Sequence, residues 1–70
     1  MTELHRRALD FILAFWAERG FAPSYTEIGA ALGIKSRGAV HSLLNRMVVR
    51  GLITISPRQA RSIRVVNPID

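Results

Sequence analysis

Cysteine is absent from the 70-residue sequence, so disulfides and thiolate metal sites are excluded. The two histidines, His5 and His41, lie far apart in the sequence with no pair of ligand residues beside either. We therefore expect no metal and no cofactor. A chain of this length forms a single domain, residues 1–70, whose small core needs close packing or self-association to be stable.

Long apolar runs are absent too. The longest, residues 11–17, is far shorter than the roughly 20 residues that a membrane-spanning helix needs. No small-residue cleavage site follows a basic start, and the sequence has no nucleophile–base pair, carboxylate pair or phosphate-binding glycine loop. We expect a cytoplasmic protein that is not an enzyme, with no membrane partner and no evident small-molecule ligand.

Acidic residues are scarce in one half of the chain. Residues 1–34 carry three arginines against four carboxylates, a net charge of −1. Residues 35–70 carry seven basic residues against one carboxylate, a net charge of +6 within a total of +5. This asymmetry predicts a surface for a polyanion, with nucleic acid favoured over membrane, although a merely soluble basic domain is the alternative.

Helical periodicity predicts a first helix over residues 3–19 that ends at Gly20 with a left-handed cap. Its apolar stripe comprises Ala8, Leu9, Ile12, Phe15 and Trp16. Further apolar residues widen this stripe to an arc of about 200°, more than a surface helix needs. Either the rest of the domain wraps this helix deeply, or part of the arc meets a second copy; Phe11 or Leu13, at the margins of the arc, is the candidate dimer contact.

A second helix is predicted over residues 24–32, ending at Gly33. Ser24 and Glu27 have the spacing of a capping box, in which each side chain bonds the backbone N–H of the other. We therefore interpret Glu27 as a helix cap and not as a catalytic acid. The predicted apolar face contains Ile28, Ala31 and Leu32.

A third helix is predicted over residues 36–50, with Ser36 as its N-cap and Gly51 after its end. Its buried stripe is predicted to contain Val40, Leu43, Leu44, Met47 and Val48. The opposite face is short-chained near its start and polar further along; it carries Gly38, Ala39, His41, Ser42, Asn45, Arg46 and Val49. The absence of bulky charged side chains near the start predicts that a partner approaches this face closely.

Alternating apolar residues predict a two-stranded hairpin over residues 53–56 and 62–66. The side chains expected to face the core are Ile53, Ile55, Ile63 and Val65, and the loop forms a basic tip with Arg58 and Arg61. Three helices followed by a hairpin give an α+β, mainly α, winged helix-turn-helix fold. Within it, Gly29 lets the second and third helices cross closely. The third helix then protrudes, and the major groove of B-DNA, about 12 Å wide, admits one helix.

Four segments resemble the N-terminal DNA-binding domain of the LexA family of SOS-response repressors. They are Gly20-Phe21-Ala22-Pro23-Ser24 leading to Glu27-Ile28, Leu32-Gly33-Ile34-Lys35-Ser36, Arg50-Gly51-Leu52-Ile53, and Arg58-Gln59-Ala60-Arg61-Ser62-Ile63. The resemblance extends from the first helix through Val66. It implies sequence-specific binding of double-stranded DNA and regulation of transcription, with repression the expected outcome.

The resemblance also implies that base contacts come from the first two turns of the third helix: Ser36, Gly38, Ala39, His41 and Ser42. The best-known members have an asparagine and two glutamates where this chain has Gly38, His41 and Ser42, so their DNA sites are not transferred to it. For two of these residues a role within the protein is the alternative to a DNA contact. Ser36 would only cap the helix, and His41 would pack beside Val40 and Leu44. Asn45 is expected to contact phosphate, or adenine if the helix lies deep.

Among the basic residues, Arg37 and Arg46 are expected to contact phosphate or a guanine edge. Arg58 and Arg61 are expected to contact the DNA backbone or the adjacent minor groove. Lys35 and Arg50 are weaker candidates for such contacts. For Arg64, the alternative to a DNA contact is that it only solvates the hairpin.

The family also has a C-terminal self-cleaving domain with a serine–lysine pair, which supplies dimerisation. The single lysine of this chain is Lys35 in the turn, so we expect no self-cleavage here. A dimer on an inverted repeat is expected, in the cytoplasm and associated with the nucleoid of a bacterium or phage host. The alternatives are a winged-helix module that binds protein or RNA, and a fragment of a full-length LexA-like repressor.

Overall fold

Local capping signals define the ends of the three helices. In a computed structural model that describes residues 2–56 and 61–66, the helices are α1 (Glu3–Arg19), α2 (Tyr25–Leu32) and α3 (Arg37–Val49). Thr2 caps α1 by accepting a hydrogen bond from the His5 N–H. Gly20 follows α1 with φ of 81°, a left-handed conformation that glycine adopts without strain. The predicted helix boundaries are confirmed to within one residue.

The capping box predicted for the second helix is present. Ser24 Oγ accepts from the Glu27 N–H at 3.2 Å, and Glu27 Oε1 accepts from the Ser24 N–H at 2.7 Å. Gly33, with φ of 75°, ends the helix and begins the short turn to α3. Ser36 Oγ accepts from the Ala39 N–H at 3.3 Å, which confirms the predicted N-cap of α3.

The chain finishes with an antiparallel hairpin of strands β1 (Ile53–Thr54) and β2 (Arg64–Val65). Ile53 pairs with Val65 and Thr54 pairs with Arg64, so the strands are shorter than predicted. Beyond the paired residues, Ser62 Oγ accepts from the Ser56 N–H and donates to the Ser56 carbonyl, which joins the two arms of the hairpin. The predicted winged helix-turn-helix fold is confirmed.

One apolar core lies between the three helices and the hairpin. It comprises Ala8, Ile12, Ala22, Ile28, Val40, Leu43, Leu44, Met47, Ile53 and Ile63. α2 packs against α3 and α1, and β2 also packs against α1. This arrangement leaves one long face of α3 and the outer side of the hairpin open to solvent.

Three residues predicted to be buried are exposed. Val48 is 37% exposed, because it lies at the edge of the α3 stripe, and Ala31 lies at the corresponding edge of α2. Trp16 is 38% exposed, since its large ring lies near the end of α1 where neighbours cover only part of it. His5, by contrast, is only 3% exposed, which the sequence pattern did not indicate.

The burial of His5 affects its charge. Its Nδ1 has no hydrogen-bond partner among the described residues. Burial lowers the pKa of His5 below its usual value of 6.5, and the positive charges of Arg50, Arg46 and the N-terminus act in the same direction. Burial and these charges therefore disfavour protonation of the imidazole.

In the part of the chain that the structure describes, α1 to α3 are all too short or too polar to cross a bilayer.

Candidate nucleic-acid interface

A groove of about 860 Å³ separates the exposed face of α3 from the hairpin. The helix wall includes Arg37, Gly38, His41 and Asn45, and the hairpin wall includes Ile55 and Arg61. Pro23, Ser24 and Tyr25, at the start of α2, also line the groove. The groove therefore lies where the sequence predicts that a partner approaches.

Four of the seven α3 residues predicted to contact DNA line the groove, namely Arg37, Gly38, His41 and Asn45, and all seven are exposed. The seven are Arg37, Gly38, Ala39, His41, Ser42, Asn45 and Arg46, while Val40, Leu43 and Leu44 face the core. At Gly38, an added Cβ would have only Ser36 Oγ within 4 Å among the described residues, at 3.6 Å. The backbone at the start of α3 is therefore open to close approach.

Ser36 and His41 had alternative roles in the sequence analysis. The N-cap role of Ser36 is confirmed, and a contact with DNA stays a prediction. His41 is exposed and does not pack into the core beside Val40 and Leu44. Its imidazole is available to the groove.

Tyr25 also lines the groove, which the sequence pattern did not indicate. Its ring centroid lies 6.0 Å from that of His41, and the Arg37 guanidinium carbon lies 5.8 Å from the Tyr25 centroid. An exposed cation–π contact of this kind contributes about 0.5–1 kcal/mol. The half-buried tyrosine therefore helps to orient His41 and Arg37, two residues predicted to contact DNA. No periodicity signals this contact, because it joins two helices that cross.

Arg61 contacts the protein itself. Its Nη1 donates to Glu27 Oε1 at 2.8 Å and to the Ala22 carbonyl at 3.1 Å, and its Nη2 donates to Glu27 Oε2 at 3.2 Å. Its guanidinium carbon lies 4.9 Å from the ring centroid of Phe21. Arg58, the other arginine predicted in the wing, lies outside the described residues.

The ion pair changes the acidity of Glu27. The hydrogen bonds from Arg61, with a smaller contribution from the Ser24 backbone, lower the pKa of Glu27 from its usual 4.5 to about 2. Glu27 is a helix cap, as predicted, and it is also the partner of a wing arginine, which was not predicted.

The two candidate dimer contacts on α1 differ in exposure. Leu13 is 40% exposed, whereas Phe11 is half-buried, packs against the core and lies 5.7 Å from Phe15 between ring centroids. Leu13 is therefore the more accessible of the two, and its contact with a second copy stays a prediction.

Comparison with known proteins identifies the family. The sequence model of the LexA DNA-binding domain matches residues 1–62. The chain belongs to the LexA DNA-binding domain family.

Curated relatives support the LexA assignment. The chain is 40% identical over 67 residues to the LexA repressor of Bifidobacterium adolescentis, covering 96% of the chain and 26% of that protein. It is 40% identical over 70 residues to the LexA repressor of Bacillus subtilis and 42% identical over 71 aligned positions to that of Bacillus pumilus. Each of these two alignments covers 96% of the chain and 34% of the relative. The LexA-family chain thus spans about a quarter to a third of the length of these repressors.

Proposed function

We propose that this LexA-family domain binds a specific double-stranded DNA sequence with the exposed face of α3 and acts as the DNA-binding module of a transcriptional repressor. The observation that carries the proposal is the composition of that face. It offers small residues at Gly38 and Ala39, hydrogen-bonding side chains at His41 and Ser42, and exposed arginines at either end.

The open start of α3 favours base contacts. Because Gly38 and Ala39 are small and exposed, the helix backbone can approach the floor of the major groove more closely than larger side chains allow. His41 and Ser42 are two and three positions beyond Ala39, also exposed, where they can bond base edges. Ser36 and Asn45 lie at the margins of this surface, at positions suited to phosphate or base contacts.

The charged residues supply the sequence-independent part of the affinity. Arg37 and Arg46 are exposed near the two ends of α3, so both can reach phosphates beside a helix seated in the groove. Arg58 of the wing is proposed to contact the backbone or the adjacent minor groove. About six phosphate contacts in all would give a log–log salt slope of roughly −5.

We further propose that two copies bind an inverted repeat. A single domain reads few base pairs, and symmetric binding to two half-sites increases affinity and specificity. The exposed Leu13 on α1 is the proposed contact between copies. Association with the nucleoid would follow from DNA binding.

A selection from a random library of duplex DNA tests the proposal. We expect enrichment of one motif, as an inverted repeat if two copies bind. Failure to enrich any sequence, with binding to RNA or to an acidic protein retained, would contradict the proposal in favour of another kind of interaction module.

Two variants then separate the roles of individual side chains. His41→Ala should relax discrimination at one position of the motif, by about 1–3 kcal/mol if the imidazole reads a base. Arg46→Ala should weaken binding to all sequences and reduce the magnitude of the salt slope by about 0.9. Arg7→Ala, an equal charge change on the exposed side of α1, is the matched control and should have the smaller effect.

A further inference from the structure

The guanidinium of Arg61 is held by three different groups of the protein. It forms a two-pronged ion pair with Glu27, donates to the Ala22 carbonyl and lies over the ring of Phe21. Both N–H groups of Nη1 and one of Nη2 are used by these bonds, and the guanidinium carbon lies 4.9 Å from the centroid of the Phe21 ring. Three of the five guanidinium N–H donors are therefore used within the protein, and the Glu27 carboxylate lies beside the positive charge that a phosphate would otherwise meet.

The backbone of Arg61 is also unusual. Its φ of 55° places it in the left-handed region, which a residue with a Cβ rarely adopts and which glycine adopts freely. Such a conformation persists where surrounding contacts determine it. Here those contacts are made by the arginine side chain, which indicates that the side chain holds the chain in place at this point.

The contacts of Arg61 cross a long stretch of sequence. They join the start of the second hairpin arm to Phe21, Ala22 and Glu27, which lie in the turn before α2 and in its first turn. In the described part of the chain, these side-chain hydrogen bonds are the ones that tie the hairpin to this segment. Both elements form walls of the groove beside α3.

We propose that Arg61 is a positioning residue: it fixes the hairpin against the first turn of α2, and so sets the shape of the DNA-binding groove, without contacting DNA itself. This inference rests on the proposed DNA-binding function. It replaces the direct DNA contact that the sequence predicts for Arg61.

The variant Arg61→Lys discriminates between the two roles. Lysine keeps the positive charge that a phosphate contact requires, but it lacks the planar fork that binds both carboxylate oxygens. A positioning role predicts that Arg61→Lys weakens binding to the selected DNA motif by about tenfold, within the usual range of coupling through a shared network. Arg64→Lys, the same change at an exposed position of β2, is the matched control and should bind like the parent.

Glu27→Gln adds a test in which the positioning role and a general effect of net charge predict opposite results. Glutamine retains a side-chain oxygen for the capping box but removes the negative charge that faces Arg61. The change makes the domain more positive, so a general electrostatic effect would strengthen DNA binding. A positioning role instead predicts weaker binding, and the double variant with Arg61→Lys should lose less than the sum of the two single losses.

The salt dependence of Arg61→Ala gives a separate readout. If Arg61 only positions the hairpin, the affinity falls and the log–log salt slope is unchanged. A slope reduced in magnitude by about 0.9 would show that a phosphate contact was lost and would overturn the inference. Parent-like binding by Arg61→Lys would overturn it as well.

A measurement without DNA separates this inference from the proposed function. NMR titration of the Glu27 carboxyl should give a pKa of about 2 in the parent and a higher value in Arg61→Lys. An unchanged Glu27 pKa would contradict the positioning role of Arg61, whatever the result with DNA. If the parent binds no specific DNA while the Glu27 pKa rises in Arg61→Lys, the contact between Arg61 and Glu27 is supported and the proposed function is contradicted.

Discussion

Gly29 allows α2 and α3 to cross closely, and replacing it with alanine tests the geometry of the helix-turn-helix directly. A Cβ at this position would lie 2.9 Å from the Ile34 carbonyl oxygen and 3.2 Å from Val40 Cγ2. The Gly29 carbonyl also accepts the Ile34 N–H at 2.8 Å, so the turn is bonded to this residue. The added methyl group therefore meets backbone that cannot move without disturbing the turn.

The magnitude follows from two opposing effects. Alanine in a helix interior is favoured over glycine by about 1 kcal/mol. Overpacking of a tight contact costs about 1–3 kcal/mol, and the cost is highest where the neighbour is backbone. We expect Gly29→Ala to lower the free energy of unfolding by a net amount of about 1–2 kcal/mol. Each kcal/mol corresponds to a fall in Tm of about 4–8 °C in a domain of this size.

Urea and thermal unfolding measure this effect, and the chain contains its own control. Gly38 is also helical, but apart from its chain neighbours and its own helix backbone, the only described atom within 4 Å of its Cβ position is Ser36 Oγ, at 3.6 Å. Gly38→Ala should therefore raise stability by as much as about 1 kcal/mol, while weakening DNA binding if the start of α3 approaches the bases. A Gly29→Ala variant as stable as the parent would refute the proposed close crossing.

Three further predictions concern the cap, the buried histidine and α1. Ser24→Ala should lower the free energy of unfolding by about 1 kcal/mol in urea titrations, because α2 loses its cap. The free energy of unfolding should decrease as the pH falls below the usual histidine pKa of 6.5, because His5 binds a proton more readily in the unfolded state than when it is buried. His5→Gln should flatten this dependence on pH. A variant with the same pH profile as the parent would contradict the role of His5. Leu13→Glu should weaken operator binding in gel-shift titrations without lowering Tm, and binding equal to that of the parent would argue against a dimer contact on α1.

The helices could be predicted from sequence because their signals are local. Ser24 and Glu27 lie three positions apart, and Gly20 and Gly33 directly follow the turns that they end. Hydrophobic periodicity also identified the central residues of the α3 stripe. It failed at the margin with Val48, because a residue about 80° from the stripe centre is buried only if a neighbour happens to cover it.

The candidate site was predicted less completely because its contacts are tertiary. The exposed face of α3 could be predicted from the periodicity of that helix alone. The Tyr25–His41 contact, in contrast, depends on how two helices cross. Arg61 and Glu27 are 34 positions apart, and nothing in the sequence distinguishes this arginine from those expected to contact DNA. Composition could assign the basic half to a polyanion, but it could not show which of its charges were already paired within the protein.

The structure separates the residues that we propose to read the DNA sequence from those that we propose to maintain the groove. Gly38, His41 and Ser42, the positions at which this chain departs from the best-known LexA members, are exposed and contribute nothing to the core. Substitutions at exposed positions such as His41 and Ser42 usually change stability by less than about 0.5 kcal/mol, so base preference can change there while the fold is retained. Glu27 is different, since one carboxylate both caps α2 and holds the wing arginine. A change there would disturb the helix and the wing together, and new specificity is therefore expected to arise on α3 and not at this ion pair.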